Sequence, residues 1–496
     1  MSQDGTYIQH ILKQKLNLYK VININKIIKY IFIIYNIMDY ENGLFIFRRD
    51  LRIIDNNGLN LINSCCKNVY TIFIFTPEQV TSKNKFKSDN AVQFMIESLK
   101  DLAHTISQNG GHLYTFFGSN ESVIADCIKK WDINIVCYNI DYSPYARERD
   151  ANIVKLCEKM ETYVTYSYDY YLLEPEAVLN GSGETYQKFT PFYQAALKKK
   201  VEEPAKMRKM NFSTTTKKVE HSISLDSALK KFVNDLNPDI LVNGGRTEAI
   251  KALKSALKSQ AHYHKTHNDL AKPTSLLSAY LKFGCISIRE AYKAFRSNKD
   301  LIRQLFWRDF YANILLAYPR VLGHALKPNY DKIKWHHNSR WFEAWTKGET
   351  GFPIVDAGMR QLNATGYMHN RARLIVASFL IKTLLISWEK GEQYFATKLT
   401  DYDPASNNGN WQWTSSTGAD SQPFFRIFNP MEQGKNYDPD CIYIKTWIPE
   451  LKDVPVKDIL QWNTEWVNYK DSGYFKPICD YKEQKELALK MYKSIF

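Results

Sequence analysis

The chain has 496 residues, 44% apolar and 24% charged, with a net charge of +14 and a sequence isoelectric point near 9.1. This is ordinary globular composition for two or three domains, and the basic excess points to a polyanionic partner, nucleic acid or an anionic membrane surface. The eight cysteines are scattered, with Cys65 adjacent to Cys66 and no paired CxxC. That argues against a disulfide framework or a zinc site and for a reducing, intracellular setting.

Residues 1–37 carry five lysines and Asp4, and their apolar run IIKYIFIIYNI is interrupted by Lys29. The run is shorter than the ~20 residues of a membrane span, and no small-residue cleavage site follows it. The segment reads as an extension ahead of the fold, either untranslated, with initiation at Met38, or disordered. From Met38 the pattern alternates. LFIFRRD (44–50), VYTIFIFTP (69–77), HLYTFFG (112–118), INIVCYN (133–139) and TYVTYSYDYYLL (162–173) predict strands. Residues 90–108 and 145–160 carry helical periodicity between them. The alternation predicts an α/β domain over 38–173 with a parallel sheet covered by helices. No GxGxxG follows the first strand, so a standard dinucleotide site is not expected there.

Residues 174–244 contain the polar, basic stretch KKKVEEPAKMRKMNFSTTTKKVEHS and read as an interdomain surface linker. From 245 to 496 the texture predicts an all-helical domain, and ten of the eleven tryptophans lie beyond residue 300. RARLIVASFLIKTLLISW (371–388) is too long for a strand and reads as one helix, which sets Trp388 roughly 22 Å from Arg373 along the axis.

Three stretches of this helical half could carry chemistry. Around Pro273, the hydroxyls of Thr274, Ser275 and Ser278 lie near a predicted helix start, which suits either a phosphate or plain N-capping. In QLFWRDFY (304–311), Gln304, Trp307 and Arg308 share a helical face; in GYMHNRARL (366–374), Asn370 and Arg373 share another, with Arg371 beside them. Arg pairs with phosphate, Asn and Gln read base edges, and Trp stacks on bases, although a helix–helix interface would use the same residues. In DYDPASNNGNWQW (401–413), two carboxylates precede an Asn/Gly stretch read as a loop, and two indoles close it. Indoles in a polar loop are costly unless they cover something flat. His262, His264 and His267 lack Cys or carboxylate partners at ligand spacing, so no metal is expected.

Taken in order, FIFRRDLRIIDN (45–56), TSLLSAYLKFG (274–284), WRDFY (307–311), MHNRAR (368–373), ASFLIKTLLISW (377–388) and DYDPASNNGNWQWTSSTGADSQPFFRIFNP (401–430) resemble the cryptochrome/photolyase family. The likeness runs from Met38 to about residue 466 and is nearest to class I cyclobutane pyrimidine dimer photolyases. It implies a Rossmann-like antenna domain, a long linker and a helical FAD-binding domain. The implied activity is light-dependent repair of cyclobutane dimers in UV-damaged DNA by electron transfer from photoexcited reduced FAD, with the dimer flipped out of the duplex. The implied protein is a monomer with no membrane contact, found in the cytoplasm or nucleus wherever the DNA is.

Carried over by position, Tyr263 and Thr274, Ser275, Leu276, Leu277 and Ser278 hold the FAD phosphates. Asp401, Tyr402 and Asp403 hold its other end, Arg373 pairs with Asp401, and Asn407 lies against the flavin. Trp307 and Trp413 flank the dimer, with Gln304, Arg308, Asn370, Arg371 and Gln433 on the DNA side. Trp411, Trp388 and Trp335 match the family's electron-transfer chain. NIDYSPYARERD (139–150) matches the region near a second, antenna chromophore, for which methenyltetrahydrofolate is the expectation. Two positions depart from the class I pattern: Gln304 replaces Glu, and His267 replaces Arg. Gln304 is the residue of (6-4) photolyases, but the His pair of those enzymes is Asn370 and Leu374 here. The alternatives are therefore a (6-4) photolyase and a cryptochrome-like photoreceptor without repair activity.

Overall fold

The computed structural model describes residues 40–496, so the extension 1–37 lies outside the described residues. Strands β1 (Tyr40–Phe47), β2 (Cys66–Phe75), β3 (Leu113–Phe117), β4 (Ile135–Asn139) and β5 (Tyr163–Ser167) form one sheet in the order β3-β2-β1-β4-β5. Every pairing is parallel; Phe45, for example, sits opposite both Thr71 and Cys137. Continuous apolar runs suit this, because a parallel sheet is covered on both faces; all five residues of β4 are buried. The covering helices are α1 (Asn57–Cys65), α2 (Asp89–Gln108), α3 (Asn120–Trp131) and α4 (Pro144–Lys159). Each opens on a side chain, Asn56, Ser88, Ser119 or Ser143, that accepts a backbone N–H three residues on. The chain leaves β1 toward one edge and returns to β4 on the other, so a crevice opens at the carboxyl ends of β1 and β4.

The stretch read as a surface linker is built into the protein. Its polar composition hides a few apolar anchors: Phe189 and Phe192 of α5 (Phe189–Ala196), Met210, Val219 and Phe232 are all buried. Asn211 and Ser213 bond to the backbone of Val69, and His221 and Ile223 bond to β3, closing that edge of the sheet.

The helical half includes α6 (Lys299–Ala317), α7 (Asn370–Lys382), α8 (Trp388–Lys398), α9 (Pro404–Ser415), α10 (Pro430–Tyr437) and α11 (Tyr481–Lys493). Two expectations change here. The apolar run 371–388 is not one helix. It ends at Lys382, turns through Leu385 at φ +58°, and restarts at Trp388 behind the Ser387 cap. Residues 404–415 are a helix and not a loop, because Asp403 caps the Ser406 N–H and Pro404 occupies the first turn.

The halves meet through buried charge. Arg289 reaches Asp55 at 3.0 Å and Asp169 at 2.7 Å, and Arg52 reaches Asp169 at 2.5 Å; all four side chains are at most 5% exposed. Burial alone would raise the Asp169 carboxyl, but Arg52 and Arg289 outweigh it and hold it below the usual carboxylate range.

Candidate active site in the helical domain

Helices α6, α7, α8 and α9 and the segment 275–282 enclose a cavity of about 440 Å³. That is within the ~300–1,000 Å³ of ligand clefts. Its apolar wall includes Leu281, Leu305, Phe395 and Leu399. Most of the residues singled out above converge on it: Ser275, Leu277 and Ser278; Gln304, Trp307 and Arg308; Asn370 and Arg373; Asp401, Tyr402, Asp403 and Asn407; Trp411 and Trp413. Trp411 is buried, Asn407 and Trp413 are half-buried, and Gln304 and Asn370 are exposed.

Arg373 donates from both terminal nitrogens to Asp401, at 3.0 and 3.3 Å, and from Nε to the Met368 carbonyl. Burial opposes its charge, but Asp401 beside it raises the guanidinium further. Asn407 commits Nδ2 to the Glu392 carbonyl at 3.1 Å, which leaves the amide oxygen as its acceptor for a partner in the cavity. Glu392 itself is buried, which lifts its carboxyl to about 7, and it accepts from Asn408.

Asp403 has partners from both domains. Arg49, at the end of β1, bonds its carboxylate at 2.9 Å, and Lys282 lies 3.8 Å away. Burial would raise this carboxyl; Arg49, Lys282 and Arg308 reverse that and hold it far below the usual carboxylate range. Burial and the neighbouring Arg49 bring Lys282 down to about 8. Sequence reasoning missed both cations, because Arg49 and Asp403 are 354 residues apart. The only local sign was the position of Lys282 one turn beyond Ser278.

Other expected residues sit elsewhere. Thr274 shares its hydroxyl with Tyr367 at 2.5 Å, and Leu276 is left-handed at φ +54°. Tyr263 lies tilted against His267, which keeps its Nδ1 2.9 Å from the Tyr263 carbonyl. Arg308, which lines the cavity, also turns its guanidinium to the carbonyls of Tyr170 and Leu281 and so ties the α/β domain to the cavity wall. Arg371 is held by Asn268 and lies over the Tyr437 ring. Gln433 lies on α10 with its amide oxygen buried and without a hydrogen-bond partner. Trp388 is 2% exposed at the start of α8, and Trp335 is half-buried against Tyr492.

A second cavity, of about 290 Å³, opens at the carboxyl ends of the strands. Asp141, Tyr142, Ser143, Tyr145 and Arg149, all within the 139–150 stretch, line it with Arg48 and Arg49. Lys282, Tyr402 and Asp403 border both cavities. No helix among the described residues is long and apolar enough to cross a membrane.

Residues 44–209 match the DNA photolyase family model, and residues 301–494 match that of the FAD binding domain of DNA photolyase. The deoxyribodipyrimidine photo-lyase of Buchnera aphidicola is 36% identical over 91% of this chain and 97% of its own. An archaeal photolyase from Sulfolobus tokodaii, solved with two FAD molecules, is 40% identical with a TM-score of 0.82, covering 91% of this chain and all of its own. A Synechocystis cryptochrome is 26% identical with a TM-score of 0.83 and similar coverage, 92% and 100%. With two-domain architecture, cavity and relatives in agreement over nearly its full length, the chain belongs to the DNA photolyase family.

Proposed function

We infer that this protein binds FAD in the helical-domain cavity and, under blue light, splits cyclobutane pyrimidine dimers in UV-damaged DNA. The single observation carrying this is that Trp307, Trp413, Gln304 and Asn370 line the same cavity as Arg373, Asp401 and Asn407. The bound, reduced FAD supplies the electron that opens the dimer and takes it back. The chain's own residues do the rest. Trp307 and Trp413 offer faces to a flipped-out dimer, and Gln304 and Asn370 offer amides to base edges. No step needs an acid, and the arrangement supports that: positions 370 and 374 are Asn and Leu, while burial and the nearby Arg373 lower the His369 imidazole to about 4 and keep it neutral. Relatives named deoxyribodipyrimidine photo-lyase, matched along 97% of their length, support the same reading. Both cavities are lined by residues of a single chain, which supports a monomer as the working unit.

The test is a repair assay on photoreduced protein with matched oligonucleotides carrying a cyclobutane thymine dimer or a (6-4) photoproduct. Light-dependent repair of the first alone is expected, and a higher yield in Gln304→Glu, because a carboxyl group can supply a proton or a charge that an amide cannot. Repair of the (6-4) lesion alone would make Gln304 the better guide. Flavin binding without repair of either would place the chain with the photoreceptors.

The second cavity is the proposed antenna site. Two of its arginines have buried N–H groups with no hydrogen-bond partner, Arg48 Nη2 and Arg149 Nη2, while Arg49 Nε has only Asp141, at 3.5 Å. Buried donors of this kind call for an acceptor-rich ligand. Together with the crevice at the strand ends, they favour a phosphorylated chromophore, a flavin nucleotide, over the folate that the likeness suggested. Arg149→Leu is expected to purify with FAD in the helical domain and without the second chromophore. Chromatography of what the unaltered protein releases decides between flavin and methenyltetrahydrofolate; a folate would refute the flavin assignment.

A further inference from the structure

Trp307 has an aromatic partner outside the cavity. The Phe189 ring lies parallel to it, with centroids 3.7 Å and planes 5° apart. Phe189 comes from the stretch between the domains and is completely buried. The segment is fixed just before Phe189, where the Asp420 N–H donates to the Gln187 carbonyl at 2.9 Å. Phe310 meets the Phe189 ring edge-on at 5.7 Å, and the Arg303 guanidinium lies over it at 5.4 Å.

A parallel sandwich is not the geometry aromatic pairs prefer, since their quadrupoles favour offset or edge-on contact. The anchors on Phe189 therefore impose it. The consequence falls on Trp307, which is half-buried, with one indole face taken and the side chain lining the cavity. A free indole would lose rotamer freedom on stacking against a base; a clamped one has already lost it.

We propose that Phe189 is a positioning residue for lesion recognition, its ring backing Trp307 so that the remaining indole face stands ready to stack on a flipped-out base. This rests on the reading of Trp307 as a dimer-stacking residue, so both are tested together. Flavin-loaded, full-length Phe189→Leu, Phe189→Tyr and Trp307→Ala are titrated with a duplex carrying one cyclobutane thymine dimer and with the undamaged duplex. FAD content and melting temperature are measured on each. Phe189→Leu is expected to weaken dimer binding about tenfold, the loss of one aromatic contact and a fixed rotamer. Its affinity for undamaged duplex and its FAD content should match the unaltered protein, and Phe189→Tyr, which keeps the ring, should recover most of the loss. Equal weakening on both duplexes, or a loss that follows the melting temperature and is not recovered by Phe189→Tyr, would reduce Phe189 to a packing role and overturn the proposal. Unchanged dimer affinity in Phe189→Leu with a large loss in Trp307→Ala would overturn it and leave the reading of Trp307 intact. No loss in Trp307→Ala would overturn both.

Discussion

Asp401→Asn is expected to yield protein that folds poorly and carries almost no FAD. Asp401 is 7% exposed and receives two bonds from Arg373, whose third nitrogen is already committed to the Met368 carbonyl. The guanidinium cannot follow a lost partner into water without leaving the Met368 bond and the cavity wall. Removing one member of a buried pair costs roughly 3–5 kcal/mol because the other charge stays buried. Arg373 is a quarter exposed, so water screens part of this and the lower end applies. Flavin absorbance per mole of purified protein, with the melting temperature beside it, checks the expectation. Full flavin content at unchanged stability would show that the pair plays no part in holding the cofactor.

Trp411→Phe is expected to abolish light-driven reduction of the bound flavin while leaving repair intact once the flavin has been reduced chemically. Trp411 is 3% exposed; its ring meets Phe395 edge-on at 4.9 Å and Trp345 at 6.3 Å. A Cβ at Gly391 would collide with the indole, so the ring lies directly on α8, one turn from Trp388. Trp388 belongs to the same buried apolar cluster as Trp411, and the half-buried Trp335 packs against it. Phe keeps the packing nearly filled but is much harder to oxidise than indole. Photoreduction under a thiol donor, followed by absorbance, is the measurement; reduction at the unaltered rate would remove Trp411 from the route. Trp345, fully buried and bonded through Nε1 to the Val376 carbonyl, is an indole in ring contact with Trp411 that no motif marked. Persistent photoreduction in Trp388→Phe, with none in Trp411→Phe, would assign the step to it.

What could be read from the residues alone was whatever is encoded locally. Apolar runs and helical periodicity marked every strand and both helices named between them, although β5 stops at Ser167 where the apolar pattern continues to 173. Motif order brought most of the cavity lining together on paper. The failures have separate causes. The 371–388 break is invisible because residues 381–386 are buried, so apolar residues run through the turn, and Leu385 takes a left-handed backbone without a Gly or Pro to announce it. Asp403 and Pro404 mark the start of α9, but the Asn and Gly that follow carry the composition of a loop. Contacts such as Arg49 with Asp403 or Phe189 with Trp307 depend on how the two halves dock, and no local pattern carries that.

The Arg52–Asp169–Arg289–Asp55 cluster bears on how such proteins can be recombined. Arg289 belongs to the helical half, while Arg52, Asp55 and Asp169 belong to the α/β half. A hybrid that joins this α/β half to another helical half leaves two buried carboxylates short of a cation unless the incoming sequence supplies an arginine at the same place. The α/β half is thus not an interchangeable cassette. A graft at the proposed antenna site is best confined to the strand-end cavity, with the interdomain charges kept as a matched set.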